Sequence, residues 1–306
     1  MSNITIVKDA FEATHITHGG MFHADEVFAT VILAKIAKMQ GKDFKLARVF
    51  KVPEGISNEV IIYDIGLGEY DHHQQGGNGA RKNEVPFAAC GLIWKKFGNL
   101  LTADSSNPEM VWGLIDSTLI QGIDAGDNGA IPKLDYPASV MSISNIISMN
   151  NPVWDSDESC DEAFLKALKH AETIFDIVMD SSKAKARAEN IIAEAIEKSE
   201  DGIMILERFA PWQSGVLNSE NPKAKEILFV VFPSNRGGYN WQGVPEALGS
   251  YTLRKESPKE WHGKSAAELK ALTGVETAHF CHNSGFLGAT ETLEDAIQMA
   301  RLAIEA

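Results

Sequence analysis

The chain has 306 residues, of which 44% are hydrophobic and 23% charged, and these values are typical of a folded globular protein. The length predicts two domains, with one large α/β domain as the alternative. The formal net charge of −14 at pH 7 argues against extensive binding of duplex nucleic acid and against an anionic membrane surface as a partner, since both favour a basic protein face.

Three cysteines, Cys90, Cys160 and Cys281, are far apart and form no C-x-x-C pair, which argues against a zinc ribbon and against a disulfide framework. The first residues lack the basic and then apolar pattern of a signal peptide, and no apolar segment approaches membrane-spanning length. We therefore expect reduced thiols, no membrane partner and a cytoplasmic location.

The first predicted elements are a β-branched strand over residues 13–17 and a helix that begins at Ala24 and continues through Lys38. A turn with two glycines joins them. Side chains with ligand chemistry occupy this turn and the first turn of the helix: His18, His23, Asp25 and Glu26. A plainer explanation for the two acids is that they complement the helix dipole.

Strands and helices then alternate along the chain. Residues 45–50 and 60–63 predict strands, and residues 87–97 and 109–120 predict helices. This alternation predicts an N-terminal doubly wound domain with a parallel sheet. Acids and histidines again follow the elements: Asp64, Asp71, His72, His73, Asp124 and Asp127. The last two lie in a glycine-rich segment, residues 121–129, which predicts a turn after the second helix.

The second half of the chain begins with a helical region from Asp161 to about Glu197, which predicts one or two helices with a break near residues 180–182. We interpret this region as a connector between the N-terminal domain, residues 1–155, and a smaller C-terminal α/β domain. The connector and the C-terminal domain together form residues 156–306. Short apolar strands and a closing helix support the smaller domain: residues 203–206, 227–232 and 293–304.

Two loops of the second half follow strands and combine glycine with polar side chains. They contain Arg236, Gly237 and Gly238 in the first loop and His282, Asn283, Ser284 and Gly285 in the second. Backbone N–H groups and an arginine side chain suit the binding of an anion. Plain turns explain such segments equally well, because glycine-rich turns are common.

The acids and histidines of the first half are expected to meet at one edge of the sheet, because the carboxyl ends of parallel strands lie together. A carboxylate and imidazole set without thiolates suits manganese, zinc, iron or cobalt and suits calcium poorly. The set is large enough for two metal ions that share one aspartate, an arrangement that clamps the attacking and leaving oxygens in phosphoryl hydrolysis. Each residue alone has an ordinary structural explanation, so the order of the whole set is what predicts the metal site.

Asp71-His72-His73 resembles the signature of the DHH phosphoesterase superfamily, which includes RecJ-type single-strand nucleases and family II inorganic pyrophosphatases. A narrower resemblance, to the melanocyte-proliferating-gene family of DHH-like metal-dependent hydrolases, covers nearly the whole chain. It rests on T-H-G-G-M-F-H-A-D-E at 17–26, Y-D-H-H-Q at 70–74, I-D-A-G-D-N-G at 123–129, R-G at 236–237, Q-G-V-P at 242–245 and H-N-S-G-F-L-G at 282–288. The resemblance implies a phosphoesterase of manganese type, with exonuclease activity on RNA in the eukaryotic members.

The resemblance also implies a role for each matching residue. One metal ion would be held by His18, His23 and Asp64, and a second by Asp25, Asp64, His72 and Asp124, with Asp64 as the bridge. His73 would donate a hydrogen bond to the substrate phosphate, and Asp71 would orient a neighbouring side chain. Whether Asp127 joins the metal ligands is left open.

The same resemblance implies that the C-terminal domain binds the substrate across an interdomain cleft, through Arg236, Gly237, Gly238 and the loop from His282 to Gly288. His23 departs from the wider superfamily, because most DHH enzymes have an aspartate there, the first of a D-x-D pair. An imidazole at this position removes a negative charge and shifts the metal preference from magnesium toward manganese, iron or zinc. The resemblance to a family of manganese type makes two manganese ions the expected cofactor.

These observations predict a metal-dependent phosphoesterase that hydrolyses phosphodiester bonds of short single-stranded oligonucleotides or nucleotides, in the manner of an RNA exonuclease, with a water activated by two metal ions. The negative net charge favours short substrates. One alternative is a phosphoanhydride or phosphomonoester hydrolase that acts on a small nucleotide or pyrophosphate. Another is a non-catalytic metal-binding regulatory protein, against which the complete ligand set argues. The sequence leaves open the physiological substrate, the cleavage polarity and the metal used in the cell. It also leaves open the oligomeric state, and a homo-oligomer is one possibility.

Overall fold

The computed structural model describes residues 4–131, 137–138 and 140–306. Contacts divide the chain into two compact units, Met1–Ala186 and Arg187–Ala306, and each contains a β-sheet with helices. The predicted α/β class is confirmed. The domain boundary after residue 155, the doubly wound arrangement and the interdomain cleft stay predictions. In the described part of the chain, no helix combines the length and the apolarity needed to cross a bilayer.

The first unit is built on a parallel sheet. Its strands are β1 (Ile4–Ile6), β2 (His15–His18), β3 (Phe44–Val49) and β4 (Ile61–Ile62). Their order is β1-β3-β2-β4, and all neighbours pair in parallel. Strands β2, β3 and β4 correspond to predicted strands. Strand β1 was not predicted, because a run of 3 residues is too short to show an alternating pattern.

Helix α1 (Ala24–Met39) joins β2 to β3, which makes a parallel crossover. Its side chains are buried around most of the helix, as expected for a helix at the centre of a unit, and Phe28 and Ile32 are fully buried. The helix begins where the backbone N–H of His23 donates to both carboxylate oxygens of Glu26, at 3.0 Å each. This capping box fixes the first turn of the helix, where Asp25 also lies.

The helices that follow in the described part of this unit are α2 (Ala89–Thr102), α3 (Pro108–Ile115), α4 (Gln121–Asp127) and α5 (Ile143–Ser148). A π-helical turn, Asp116–Ile120, joins α3 to α4. The prediction of a turn over residues 121–129 is therefore wrong for residues 121–127, which are helical, and the helix is capped by Asn128. Burial of Leu119 and Ile123 outweighs the cost of each helical glycine, about 1 kcal/mol relative to alanine.

Helix α6 (Cys160–Glu197) is continuous, so the predicted break near residues 180–182 is wrong. Its buried stripe passes through the expected break at Phe175, Met179, Ser182 and Ala186. The spacing of these residues is helical, and a small serine fits within a closely packed stripe without interrupting it. Ala186 belongs to the core of the first unit, whereas Ala188 belongs to a core cluster of the second.

The second unit contains a mixed sheet. Its strands are β5 (Ile203–Ile205), β6 (Phe229–Pro233), β7 (Tyr239–Gly243), β8 (Phe280–Cys281) and β9 (Leu287–Thr290). Their order is β5-β6-β7-β9-β8, in which β5 and β6 are parallel and the other neighbours antiparallel. The helices are α7 (Gln213–Leu217), α8 (Pro222–Glu226), α9 (Ala266–Thr273) and α10 (Leu293–Glu305).

Alternation along the strands separates the two faces of this second sheet. Val231 and Trp241 belong to a core cluster that includes α10. Val230 and Phe232 belong to another cluster, which includes the end of α6. Trp241 lies so close to β9 that a Cβ atom on Gly288 would overlap its indole ring. Only glycine therefore fits at that position of β9.

His15, at the start of β2, is buried, and its ring stacks on Phe44 with 3.9 Å between the ring centroids. Burial lowers the pKa of its imidazole to about 4 from the usual 6.5. Between these two values the unfolded chain binds a proton that the folded chain does not. The stability contributed by the neutral ring is therefore complete above pH 6.5, decreases as the pH falls and is lost at about pH 4.

We expect His15→Leu to remove this pH dependence, because leucine keeps an apolar side chain against Phe44 and cannot bind a proton. Between pH 6.5 and 4 the free energy of unfolding of the wild type should fall by about 3 kcal/mol more than that of the variant. Urea unfolding measures both, and the exposed His170→Gln is the control that should keep the wild-type dependence. An equal pH dependence in wild type and His15→Leu would contradict the prediction.

Candidate metal centre

Side chains from several elements converge at the carboxyl end of the first sheet. His18 ends β2, and Asp25 and Glu26 lie in the first turn of α1. The other members follow β4 or belong to α4: Asp64, Asp71, His72, His73, Asp124 and Asp127. The parallel pairing of β2 with β3 and β4 brings the ends of these strands to one edge, which is the arrangement that places ligands in α/β sheets.

Asp64 lies at the middle of this cluster, two residues after β4, with a left-handed backbone φ of 55°. Its Oδ2 is 3.4 Å from Nε2 of His18, and its Oδ1 is 3.4 Å from Nε2 of His72. One carboxylate oxygen therefore faces each imidazole. Burial favours the neutral acid, but the two histidines outweigh it and hold the pKa of Asp64 below its usual value.

Two buried atoms of this arrangement have no hydrogen-bond partner among the described residues, Oδ1 of Asp64 and Nε2 of His72. Their separation of 3.4 Å is an ion-pair distance, and the angles do not make a hydrogen bond. Buried polar atoms are nearly always satisfied, so an unsatisfied pair that faces one another requires an explanation. A cation between them would supply it.

Asn128 determines which nitrogen of His72 is free. The Nδ2 amide of Asn128 donates to the carbonyl oxygens of Asp124, at 2.9 Å, and Phe87, at 3.3 Å. These bonds leave Oδ1 of Asn128 as the acceptor that faces Nδ1 of His72, at 3.3 Å. In the neutral ring Nδ1 therefore carries the proton, and the lone pair of Nε2 points to Asp64. This is the tautomer that a metal ligand needs, held by a neighbouring side chain.

Glu26 is a member of the cluster that the sequence did not assign as a ligand. Its Oε1 is 2.9 Å from Nε2 of His18, and the residue is fully buried. The ring of His23, at the N-cap of α1, is exposed and has its Nδ1 3.9 Å from Oδ1 of Asp127. The signal that could have identified Glu26 is its position three residues after this N-cap, where a glutamate turns back toward the preceding loop.

Three groups of side chains in the described part of the chain have ligand atoms within 4.8 Å of one another. They are His18 with His23 and Glu26, Asp64 with His72 and His73, and Asp25 with His72 and Asp127. Each group mixes oxygen and nitrogen donors without thiolates, which suits manganese, iron, cobalt or zinc. The donor set and the unsatisfied atoms therefore fit one or more divalent cations.

Asp124, predicted as a ligand, lies outside these three groups of described residues. Its Oδ1 accepts a hydrogen bond from the backbone N–H of Gly91 at 2.9 Å, and its Oδ2 accepts one from Nη1 of Arg81 at 2.7 Å. Arg81 also binds Asp116 through Nε and Nη2. Burial raises the pKa of Asp124 to about 7, although Arg81 opposes the shift. A Cβ atom on Gly91 would overlap the Asp124 carboxylate, so only glycine permits this contact.

Asp25 is held by the N-terminus of α2. Its Oδ1 accepts from the backbone N–H of Cys90 at 2.6 Å, and its Oδ2 accepts from that of Ala89 at 2.9 Å. A helix N-terminus presents free N–H groups and a positive dipole end to a carboxylate. Even so, burial and then the charges of the nearby aspartates raise the pKa of Asp25 well above its usual value.

The cluster carries more negative charge than the protein cations around it offset. Burial disfavours the charged ring of His18, but Asp64 and Glu26 outweigh it and raise the pKa of His18 to about 11. Asp127 and Asp64 raise the pKa of His72 to about 11 as well. The two imidazoles therefore hold protons that compensate part of the charge. A divalent cation would displace these protons, since metal ligation needs neutral imidazole.

Asp71 and His73 form a separate pair at the edge of the cluster. Oδ1 of Asp71 accepts from Nδ1 of His73 at 2.7 Å and from its backbone N–H at 3.1 Å. Oδ2 of Asp71 accepts from the backbone N–H of Leu67 at 2.7 Å. These bonds outweigh burial and keep the pKa of Asp71 below its usual value. Asp71 thus orients the ring of His73, whose side chain is 57% exposed.

The predicted substrate-binding residues lie in two turns of the second unit, between β6 and β7 and between β8 and β9. Arg236, Gly237 and His282 line one cavity of about 640 Å³, named here the Arg236 cavity, together with Asn240 and His279. Gly238, Asn283, Ser284 and Gly285 are not among the residues that line it. Gly238 and Gly285 have positive φ angles of 68° and 70°, and a Cβ atom on either would overlap a neighbour. These two glycines are therefore required by the turns themselves.

The Arg236 cavity presents unused hydrogen-bond donors. The guanidinium group of Arg236 makes no hydrogen bond or ion pair with any other residue that the structure describes. Nδ1 of His282 accepts a hydrogen bond from the backbone N–H of Ser284 at 3.1 Å. The neutral ring of His282 must then carry its proton on Nε2. An anion in this cavity would meet a fixed positive charge and an imidazole donor.

Asn128→Leu should weaken the binding of Mn²⁺ by about 10- to 100-fold, because the loss of an outer partner releases the ring of His72 and its tautomer. Electron paramagnetic resonance of free Mn²⁺ in a titration of the full-length protein measures the dissociation constant. Asn99→Leu, at an exposed position of α2, is the matched control and should bind Mn²⁺ as the wild type does. Unchanged affinity in Asn128→Leu would refute the role assigned to this amide.

Comparison with known proteins identifies the family of the chain. Residues 14–304 match the sequence profile of MYG1_exonuc, described as "Uncharacterised protein family (UPF0160)". The MYG1 protein of Dictyostelium discoideum is 30% identical over 320 residues, which cover 94% of this chain and 95% of the relative. The MYG1 protein of Schizosaccharomyces pombe is 29% identical and covers 94% and 96%. The MYG1 exonuclease of Homo sapiens is 27% identical and covers 93% and 84%. The chain therefore belongs to the MYG1 family, the melanocyte-proliferating-gene family that its motifs predicted.

Proposed function

We propose that the protein is a metal-dependent phosphoesterase that hydrolyses phosphodiester bonds of short single-stranded oligonucleotides, in the manner of an exonuclease. The observation that carries the proposal is the pair of buried, unsatisfied atoms in the metal centre, Oδ1 of Asp64 and Nε2 of His72, within a cluster of carboxylates and imidazoles. The human relative is named an exonuclease, which supports a nuclease-like hydrolase.

The proposed cofactor is two manganese ions, with Asp64 as a ligand that would serve both. His18 and His23 would hold the first ion, with Glu26 beside them, and Asp25 and His72 would hold the second. For the remaining ligand of the second ion, the contacts support Asp127, whose Oδ2 is 3.1 Å from Nε2 of His72. Asp124, the ligand that the motifs predicted, accepts hydrogen bonds from Gly91 and Arg81, and unlike Asp127 it belongs to none of the three groups of described residues whose ligand atoms lie close together.

When bound, the two ions supply the Lewis acid that activates a water and offsets charge on the phosphoryl oxygens. The side chains of this chain do the rest. His73 lies at the exposed edge of the cluster, and Asp71 fixes its orientation by accepting from Nδ1. Nε2 of His73 can donate a hydrogen bond to the substrate phosphate when the ring carries its second proton. Asn128 holds His72, and the N-terminus of α2 holds Asp25, so the ligands are placed before any ion arrives.

The second unit is proposed to bind a phosphate group of the substrate in the Arg236 cavity. Its support is the free guanidinium of Arg236 and the Nε2–H that the bond from Ser284 leaves on His282. These positive and donor groups are local exceptions in a chain of net charge −14. Long nucleic acid would be repelled by the remaining surface, which supports short oligonucleotides as the substrate.

Asp64→Asn should lower manganese-dependent release of nucleotides from a short RNA oligonucleotide by more than about 100-fold, beyond the loss expected for an outer partner. Asparagine tolerates the left-handed backbone at this position, so the change removes charge and leaves the fold in place. Asp157→Asn, at an exposed position, is the matched control. A panel of RNA, DNA, cyclic dinucleotides, mononucleotides and pyrophosphate separates diesterase, monoesterase and phosphoanhydride activity. Tight metal binding without activity on any substrate of the panel would contradict the proposal and favour a regulatory protein.

Arg236→Gln should raise KM for the oligonucleotide by about 10- to 100-fold and change kcat less, because the substitution removes a hydrogen bond to a phosphate that contributes to substrate binding. Arg208→Gln, exposed in the same unit, removes the same charge from the protein and should leave both constants unchanged. Steady-state kinetics at constant ionic strength give the comparison. Equal effects of the two substitutions would indicate a general charge effect and contradict a phosphate contact.

A further inference from the structure

On one face of the second sheet, strand β6 is covered by the core cluster that includes the end of α6. Val230 and Phe232 of β6 are buried on this face. Their partners on β7 in the strand register are Gln242 and Asn240, and both are only half-buried. The intervening Trp241 points to the opposite face, where it is fully buried. The part of this face formed by β7 is therefore only partly covered and carries polar side chains, next to Leu287 and Ala289 of β9.

A second cavity lies on this partly covered part, beside the Arg236 cavity. It has a volume of about 210 Å³ and is named here the Gln242 cavity. The side chains that define it are Gln213, Gln242, Ser250, Tyr251, Ser284 and Phe286. Among the residues that the structure describes, those that line this cavity are all uncharged. The cavity therefore selects against a charged group and suits a neutral polar one.

The amides of the Gln242 cavity are available to a ligand. Within the described part of the chain, neither Gln213 nor Gln242 uses its side-chain amide in a hydrogen bond or an ion pair. Each amide offers both a donor and an acceptor. The rings of Phe286, half-buried, and Tyr251, fully exposed, supply aromatic surfaces at the same place. Free amides together with aromatic rings are the groups that bind the edges and faces of nucleobases.

The two cavities are lined by neighbouring residues of the same strand. Asn240 lines the Arg236 cavity and Gln242 lines the Gln242 cavity, and the two residues lie two positions apart on one face of β7. Side chains at this spacing are about 7 Å apart along a strand. The ring of His282, in the first cavity, contacts that of Phe286, in the second, with 4.7 Å between their centroids. A phosphate in one cavity would thus leave its base beside the other.

We propose that the Gln242 cavity binds the nucleobase of the nucleotide whose phosphate lies in the Arg236 cavity. The inference rests on the proposed function and makes it more specific, since it assigns to the second unit the recognition of a whole nucleotide and not of a phosphate alone. Because both glutamine amides can rotate to present a donor or an acceptor, the cavity accepts each of the four bases. Stacking on aromatic rings is likewise tolerant of base identity.

Calorimetric titration of the full-length protein with the four ribonucleoside 5′-monophosphates and with ribose 5-phosphate tests the proposal. These ligands share the phosphate and the sugar and differ in the base. The wild type should bind every nucleotide at least about 10-fold more tightly than ribose 5-phosphate, the scale of one stacked base. Phe286→Leu and Gln242→Leu should each reduce this ratio to about 1 to 3 while the affinity for ribose 5-phosphate is kept. Arg236→Gln should weaken the binding of both kinds of ligand.

Gln298→Leu, on the exposed face of α10, is the matched control for Gln242→Leu and should keep the wild-type ratio. Equal affinity of the wild type for nucleotides and ribose 5-phosphate, or an unchanged ratio in both cavity variants, would overturn the base cavity. Thermal unfolding shows whether Phe286→Leu or Gln242→Leu has failed to fold. If one of them has, the affinity ratio of the other tests the proposal. Hydrolysis is measured separately, so an inactive protein that still prefers nucleotides would refute the proposed function and leave this inference standing.

Discussion

The N-terminus of α2 is the point on which the arrangement of the metal centre depends. Three successive backbone N–H groups, of Ala89, Cys90 and Gly91, donate to the carboxylates of Asp25 and Asp124. The two aspartates come from α1 and α4, so one helix end fixes the position of two others. A buried carboxylate is costly unless it is hydrogen-bonded, and the free N–H groups of a helix start offer such bonds without a counter-ion.

The two carboxylates differ in what balances the rest of their charge. Arg81 binds Asp124 and Asp116 together, so a permanent cation of the protein offsets part of the negative charge on that side of the cluster. Asp25 lies near His72, and Asp64 lies near His18, His72 and His73. The charge of an imidazole depends on a proton. The protein thus contains a structural ion pair with Arg81 and, apart from it, a group of acids whose negative charge is balanced by protons on histidines. A metal ion can replace those protons. That difference distinguishes Asp25 and Asp64, as candidates for cation binding, from Asp124.

The sequence predicted much of the site because ligand-type residues follow strands, and a parallel sheet brings the ends of its strands together. His18, Asp25, Asp64 and His72 were found in this way. Asp124 was predicted as a ligand and Asp127 was left open, because the contacts of Asp124 with α2 and Arg81 join residues that are distant in sequence. The glycines of this segment also predicted a turn where a helix continues. Glu26 and Asn128 were assigned no role at the metal site for a related reason, since capping and amide orientation depend on the three-dimensional neighbours of each side chain.

The hydrogen bonds at the start of α2 also affect how the protein exchanges amide protons with the solvent. First-turn amides of a helix have no partner within the helix and ordinarily exchange rapidly. Here those of Ala89, Cys90 and Gly91 are buried beneath carboxylates of the metal centre. They can exchange only when Asp25 or Asp124 moves away. The rate of deuterium uptake at these three amides therefore reports how often the site opens, and it can be measured without substrate.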